Sequence, residues 1–69
     1  MPLTMAKIGE VNFIKRVNGH DEARRHLEDL GFAAGGSVVI VSKSGGNFIV
    51  NVRESRIAIS GEMANKIFV

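Results

Sequence analysis

The stretch from Asp21 to Val41 constrains the fold most, because a short amphipathic helix, several glycines and an apolar strand follow one another there. Its first ten residues carry apolar side chains at i, i+4 and i+7, which lie on one helical face, and charged side chains at most other positions. The apolar residues are Ala23, Leu27 and Leu30. Asp21 is a stronger N-cap than His20, because its carboxylate accepts hydrogen bonds from the free amides of the first turn.

A glycine marks the end of this helix. Gly31 follows the last periodic leucine and can adopt the left-handed conformation that terminates helices. Phe32 would then fold back onto Leu27, which is the apolar contact of a Schellman-type cap. The spacing therefore predicts a helix over residues 21–30.

Five other segments have the composition of β-strands, rich in β-branched residues or alternating between apolar and polar residues. They are residues 9–17, 37–43, 47–53, 56–60 and 67–69. The alternation of the first segment breaks at Phe13-Ile14, where we expect a bulge or a bend. We expect a tight hairpin at Glu54-Ser55, although neither residue favours a primed turn. Ser60 can cap a helical turn over residues 62–66, in which Glu62 and Lys66 have ion-pair spacing.

This order of elements predicts a mainly β fold with short helices, namely a small SH3-like β-barrel. One helix lies between the first and second strands, and a helical turn precedes the last strand. We expect a single domain over residues 1–69, with residues 1–6 flexible. A core of this size supplies only about 3–5 kcal/mol, and no cysteine is present to form a disulfide. We therefore expect an antiparallel sheet that closes on itself and removes most of its edges.

Composition places the chain among ordinary globular proteins, with 45% hydrophobic and 23% charged residues. The first seven residues do not form a signal sequence, and no window approaches the roughly 18–20 apolar residues that span a bilayer. We expect a cytoplasmic protein that does not insert into a membrane.

Catalytic and metal-binding patterns are absent from the sequence. His20 and His26 are six positions apart and would project from different sides of a helix, so they cannot chelate one ion together. The glycines of residues 31–37 lead from a helix into a strand, whereas a phosphate-binding P-loop leads from a strand into a helix. The sequence predicts no metal site, no cofactor and no enzymatic activity.

Nucleic-acid binding is also disfavoured. The basic residues are spread over every element and interleaved with seven acidic ones, giving a net charge of only +2. Phe13 and Phe48, which could stack on bases, are assigned to the core on burial frequency. The chain has no Trp or Tyr to line a groove for proline-rich peptides.

Several segments together resemble the FeoA family of ferrous iron transport proteins. They are Arg24-Arg25-His26-Leu27-Glu28-Asp29-Leu30-Gly31-Phe32, Gly35 with the valine-rich strand, Val50-Asn51-Val52-Arg53, Ile57-Ala58-Ile59 and Ala64-Asn65-Lys66-Ile67-Phe68-Val69. The resemblance covers nearly the whole chain from Lys7 onward. In two places the chain departs from the family: Ala34 stands where a proline is frequent, and Glu54 where a glycine is common in the hairpin.

The resemblance implies a non-enzymatic cytoplasmic accessory protein that binds and modulates FeoB, the membrane ferrous-iron transporter with its own GTPase domain. A related domain in iron-dependent repressors of the DtxR type supplies the first alternative, and a nucleic-acid-binding small barrel supplies the second. Weak self-association through a short strand edge at residues 67–69 stays open.

The partner-binding surface predicted from the residues is the seam between the helix and the barrel. Its apolar residues would lie along the seam, with two arginines at the rim. The predicted set is Arg24, Arg25, Leu27, Leu30, Phe32 and Met63. We expect Leu30 and Met63 to be the most accessible of the apolar members, because Leu27 and Phe32 are placed to form the helix cap.

Overall fold

A computed structural model describes all 69 residues of the chain. A 3-10 turn at Leu3–Met5 comes first and is followed by eight helices and strands. These are β1 (Val11–Phe13), β2 (Arg16–Val17), α1 (Asp21–Asp29), β3 (Ser37–Ser44), β4 (Asn47–Val52), β5 (Ser55–Ser60), α2 (Gly61–Ala64) and β6 (Ile67–Phe68). The mainly β prediction and the positions of the elements are confirmed to within a few residues.

The strands form two antiparallel sheets. Four strands pair in the order β1-β3-β4-β5, and β2 pairs with β6. Alternate residues of β3, β4 and β5 face the core, so that apolar side chains oppose one another across the ladders. The core-facing pairs include Val38 with Val52, Ile40 with Val50, and Phe48 with Ile59. The predicted alternation of β4 is therefore confirmed.

One apolar core joins both sheets and both helices. It contains 14 buried hydrophobic residues, and no polar or charged residue is buried. Members come from both ends of the chain, from Leu3 to Val69. Because no polar group needs a partner inside, the stability of the fold depends on hydrophobic burial and packing alone.

The helix cap has the predicted geometry. Gly31 adopts a φ of +112°, the Phe32 N–H donates to the Leu27 carbonyl (3.0 Å), and the Gly31 N–H donates to the Glu28 carbonyl (3.0 Å). These are the two hydrogen bonds of a Schellman motif. Leu27 and Phe32 are both fully buried in the core, so the cap fixes how α1 leads into the next loop.

The N-terminus of α1 differs from the prediction. His20 occupies the N-cap position with extended backbone, and no side chain caps the first turn. Asp21 is the first helical residue, and its carboxylate accepts a hydrogen bond from Arg24 (3.2 Å). Its charge still favours the positive end of the helix dipole, but it does not act as the cap.

The predicted closed barrel is wrong in one respect, because the first strand is split between the two sheets. Ile14 is buried and is held by the loop before β3: its N–H donates to Gly36 and its carbonyl accepts from Gly35, both at 2.8 Å. The next amide, that of Lys15, donates to Phe68 in the other sheet (2.7 Å). The expected bend therefore lies at residues 14–15, and β1 remains an edge of the four-stranded sheet.

The β4–β5 hairpin turns one residue earlier than predicted. Val52 pairs with Ser55, so Arg53 and Glu54 form the two-residue loop, with φ of +49° and +64°. Both residues lie in the left-handed region that a primed hairpin turn requires. Position 54, where the resemblance led us to expect a glycine, carries a residue with a Cβ that adopts the left-handed conformation.

The helical turn before the last strand is confirmed, with its cap. The Met63 N–H donates to the Ser60 hydroxyl (3.2 Å) at the start of α2. Glu62 and Lys66 do not form the ion pair that their spacing suggests, because α2 ends at Ala64 and Asn65 is its C-cap. The i,i+4 geometry of a continuous helix therefore does not extend to position 66.

The first six residues, which we expected to be flexible, pack against the rest of the domain. Leu3 and Ala6 belong to the core, and Pro2 forms a β-bridge with Phe68. The Val69 N–H donates to the Met1 carbonyl (2.8 Å). The physical reason is that the core is small and recruits the apolar side chains of Leu3 and Ala6 from this segment.

Replacing Leu3 tests whether the N-terminal segment is part of the cooperative fold. We expect Leu3→Ala to lower the free energy of unfolding by about 2–5 kcal/mol, because it leaves a cavity in a packed core. Met5→Ala is the matched control, since Met5 is exposed, and it should change stability by less than about 0.5 kcal/mol. Urea unfolding followed by circular dichroism measures both; equal effects would contradict the packing of Leu3.

Replacing Glu54 tests the strain of the hairpin. We expect Glu54→Gly to raise the free energy of unfolding by about 0.5–1 kcal/mol. The reason is that the strain relieved at a left-handed residue in the folded state exceeds the conformational entropy that glycine adds to the unfolded chain. Ser55→Gly, in the extended first position of β5, should instead destabilise the protein. Thermal unfolding measures both shifts. A melting temperature for Glu54→Gly at or below that of the wild type would refute a strained turn.

Candidate partner-binding surface

The structure divides the residues predicted to bind a partner. Leu27 and Phe32 are fully buried in the core, where they form the α1 cap and are inaccessible to another protein. The helix periodicity located them correctly on the inner face of α1. Leu27 and Phe32 therefore have a structural role. The other four members of the set are the ones that reach the surface.

Leu30 and Met63 are both half-buried and pack against the core from outside. Leu30 is the C-cap of α1, whose main packing neighbour is β2. Met63 lies on α2, which packs against β4, β5 and the N-terminal turn. Leu30 and Met63 therefore cover the core from two helices that pack mainly on different elements.

The two arginines of the predicted rim are exposed on α1 but differ in their surroundings. Arg24 contacts Asp21 at 3.2 Å and Glu28 at 3.8 Å, so carboxylates flank its guanidinium on the same helix. Arg25 forms no ion pair within 4 Å. Exposed pairs of this kind contribute only about 0–1 kcal/mol to stability. Arg25 is thus the more available of the two for an external carboxylate.

Arg53 is a surface residue outside the set predicted from the sequence. Its side chain lies over the end of α1: a Cβ on Gly31 would stand 3.0 Å from the Arg53 Cδ and 3.2 Å from its Cγ. The aliphatic part of the Arg53 side chain, which belongs to the strained hairpin, therefore packs on Gly31 of the helix cap. No sequence signal indicates this contact, because it depends on where the left-handed turn directs the side chain.

The most exposed apolar residues lie elsewhere, in the first thirteen residues of the chain. The exposed large hydrophobic side chains are Met1, Met5, Ile8, Val11 and Phe13. The assignment of Phe13 to the core is wrong, because the bend at Ile14 turns that residue inward and leaves its neighbour outside. The broken alternation at Phe13-Ile14 was the available signal, since two consecutive strand residues cannot both face one core.

No cavity is present in the structure. No group of three or more His, Cys, Asp or Glu side chains converges as a metal site would require. Neither helix has the length and hydrophobicity needed to cross a bilayer. The functional groups of the chain are distributed over its outer surface.

Comparison with known proteins identifies the family. The sequence profile of the FeoA domain matches residues 1–69. The chain belongs to the FeoA domain family. A curated relative, named as an Fe(2+) transport protein A of Methanocaldococcus jannaschii, is 31% identical over 68 residues, which cover 99% of this chain and 83% of the relative. The resemblance drawn from the sequence motifs is thus confirmed.

A solved FeoA structure confirms the fold at the level of the SH3-like class. The FeoA of Stenotrophomonas maltophilia, complexed with zinc and described as a prokaryotic SH3 domain protein, superimposes with a TM-score of 0.87. The two chains are 27% identical, and the match covers 100% of this FeoA chain and 88% of the other. The SH3-like assignment therefore holds although the four-stranded sheet is open at β1.

A manganese-dependent transcriptional repressor shares the same fold. Its structure superimposes with a TM-score of 0.88 at 15% identity, and the match covers 100% of this chain but 40% of the repressor. At this identity the likeness concerns the fold alone. It agrees with the expectation that a related SH3-like domain occurs in repressors of this type, and it carries no functional assignment.

Replacing Gly31 tests the contact between the helix cap and the hairpin. Gly31→Ala should lower the free energy of unfolding by about 1–3 kcal/mol, because it strains a left-handed residue and presses on Arg53. Gly35→Ala is the matched control, since Gly35 also has a positive φ but nothing within 4 Å of an added Cβ. Gly35→Ala should lower the free energy of unfolding by less than Gly31→Ala does, and the difference measures the contact with Arg53.

Chemical denaturation of the same two variants in an Arg53→Ala background isolates that contact. We expect the effect of Gly31→Ala to shrink in this background while that of Gly35→Ala stays constant. Equal changes for both glycines in both backgrounds would show that the hairpin does not press on the cap.

Proposed function

We propose that this FeoA-family chain is a non-enzymatic cytoplasmic accessory protein of ferrous iron uptake that binds the cytoplasmic part of a FeoB-type membrane transporter and modulates it. The observation that carries the proposal is the family match over the whole chain. The name of the Methanocaldococcus relative, an Fe(2+) transport protein A, supports the transport role. The FeoB-type partner is the one that the family resemblance implies.

The distribution of chemical groups supports a binding role. Every charged and polar side chain lies outside a core that contains hydrocarbon only, so recognition must use the outer surface. That surface offers exposed apolar side chains near the N-terminus and exposed charges on α1. Apolar anchors surrounded by charges are typical of protein–protein interfaces.

The alternatives receive less support. The repressor likeness is limited to the fold, and the chain corresponds to 40% of that protein. A nucleic-acid-binding barrel would require a continuous basic face, whereas α1 alone carries four acidic residues against two arginines. These two alternatives are kept as outcomes of the binding experiment.

Binding to the transporter is tested directly by calorimetry. The purified chain is titrated into the cytoplasmic part of the FeoB-type transporter from the same organism, and we expect saturable binding that survives physiological salt. Deleting the gene for the chain should lower the initial rate of ferrous iron uptake by cells, and expression of the chain should restore it.

A size-matched SH3-like domain from an unrelated protein serves as the negative control and should not bind. The proposal fails if the chain shows no binding and its deletion leaves iron uptake unchanged. Binding to DNA fragments that weakens steeply with salt, in place of binding to the transporter, would instead favour the nucleic-acid alternative.

A further inference from the structure

The outer edge of β1 has unpaired backbone groups. β1 is the terminal strand of the four-stranded sheet, with β3 on its one paired side. Because the Ile14 N–H donates to Gly36 beside β3, alternation along the strand directs Asn12 toward β3 and Val11 and Phe13 away from it. No backbone hydrogen bond outside the β1–β3 ladder reaches Val11 or Phe13.

Apolar side chains accompany this open edge. Phe13 is 67% exposed, Val11 61%, Ile8 55% and Met5 69%. Val11 and Phe13 are two positions apart and project from the same face of β1, and Met5 and Ile8 lie in the residues that lead into this strand. Exposed apolar side chains that lie together are often functional. Edge strands are usually protected by charges, prolines or bulges, and residues 11–13 carry none of these.

The four side chains belong to one continuous stretch along the outer side of β3. Lys43 donates to the Ala6 carbonyl (3.3 Å), the Gly9 N–H donates to the Ile40 carbonyl (2.9 Å), and Val11 and Phe13 pair with Val39 and Ser37. Residues 5–13 therefore run antiparallel to β3, from its C-terminal end to its N-terminal end. We call this stretch, residues 5–13, the β1 segment.

Charges at the two ends of the β1 segment select the kind of occupant. Lys7 lies in the segment and Lys15 and Arg16 follow it, while Glu10 is the one acid among residues 5–16. Three cations and one acid give a net charge of +2, and all four side chains are exposed. A strand that adds to this edge gains electrostatically when it carries carboxylates beside its apolar residues.

A second copy of the chain fits this edge poorly. Antiparallel pairing of two β1 segments brings together two stretches of net charge +2, and the lysines at one end of each meet the opposite end of the other. Charge therefore favours an extended segment of another protein that carries carboxylates.

We propose that β1 is the docking edge of this protein, and that an extended, apolar segment with flanking carboxylates from its partner adds to the sheet as a strand beside Val11–Phe13. Main-chain hydrogen bonds to the outward groups of β1 provide the affinity, and the exposed side chains of the β1 segment provide the selectivity, as in other cases of strand addition. The identity of the partner rests on the proposed function.

The experiment compares variants in calorimetric titrations with the cytoplasmic part of the FeoB-type transporter. Val11→Thr/Phe13→Thr removes the apolar side chains while keeping strand propensity, and should weaken binding at least about tenfold. Lys7→Glu/Lys15→Glu should also weaken binding, with a slower association rate. Circular dichroism and melting temperature confirm that each variant is folded.

A charge variant outside both candidate surfaces serves as the matched control. Arg56→Glu/Lys66→Glu makes the same charge change on β5 and just before β6, away from the β1 segment. Its affinity should stay within about threefold of the wild type, in line with the small effects of residues outside a hot spot. Leu30→Ser is titrated alongside, because it tests the surface of α1 as the competing docking site.

Each outcome separates the two proposals. If the wild type binds and Val11→Thr/Phe13→Thr binds equally well, or if Leu30→Ser alone loses binding, the β1 edge is not the docking site and the proposed function stands. Failure of the wild type to bind overturns the proposed function and this inference with it. A dimer in light scattering of the free chain that Val11→Thr/Phe13→Thr abolishes would make a second copy the occupant.

Discussion

The position of Ile14 determines much of this structure. Its side chain is buried, and both of its backbone groups are hydrogen-bonded to the loop before β3. Because successive strand residues face opposite sides, the burial of Ile14 places Phe13 outside, and the chain crosses to the second sheet at Lys15. The open edge of β1, its exposed side chains and the division into two sheets all follow from this one residue.

The rest of the fold depends on recruiting every available apolar side chain into a small core. Residues from the first turn, α1, the loop after it, all the longer strands and the C-terminus meet there, without a buried polar group. Domains of this size bury only about 60% of the surface of the unfolded chain. On the surface above this core, the Arg53 side chain of the strained hairpin packs against Gly31 of the Schellman cap. This contact links the β4–β5 hairpin to the end of α1.

The sequence was sufficient for features that depend on local chemistry. The cap at Gly31, the strand at residues 37–43, the alternation of β4 and the Ser60 cap each follow from neighbouring residues, and all are confirmed. The motifs also identified the family. Features that depend on the choice between competing tertiary contacts were missed: the packing of Leu3, the exposure of Phe13 and the open sheet.

The candidate site follows the same division. Helical periodicity located Leu27 on the inner face of α1, but it could not show that Leu30 and Met63 rest on different elements. The exposed β1 segment came from the structure, since only the pairing with β3 shows which backbone groups are free. Local patterns thus placed Leu27 correctly, whereas the free edge of β1 could be seen only from the strand pairing.

Amide hydrogen exchange of the free protein, resolved by NMR, tests the central claim most directly, because each amide of β1 reports its own hydrogen bond. An open outer edge predicts slow exchange for the amides of Asn12 and Ile14, which face β3, and fast exchange for those of Val11 and Phe13, which face outward. Equally slow exchange of all four amides at low protein concentration would show that the outer edge of β1 is covered, and would contradict the account.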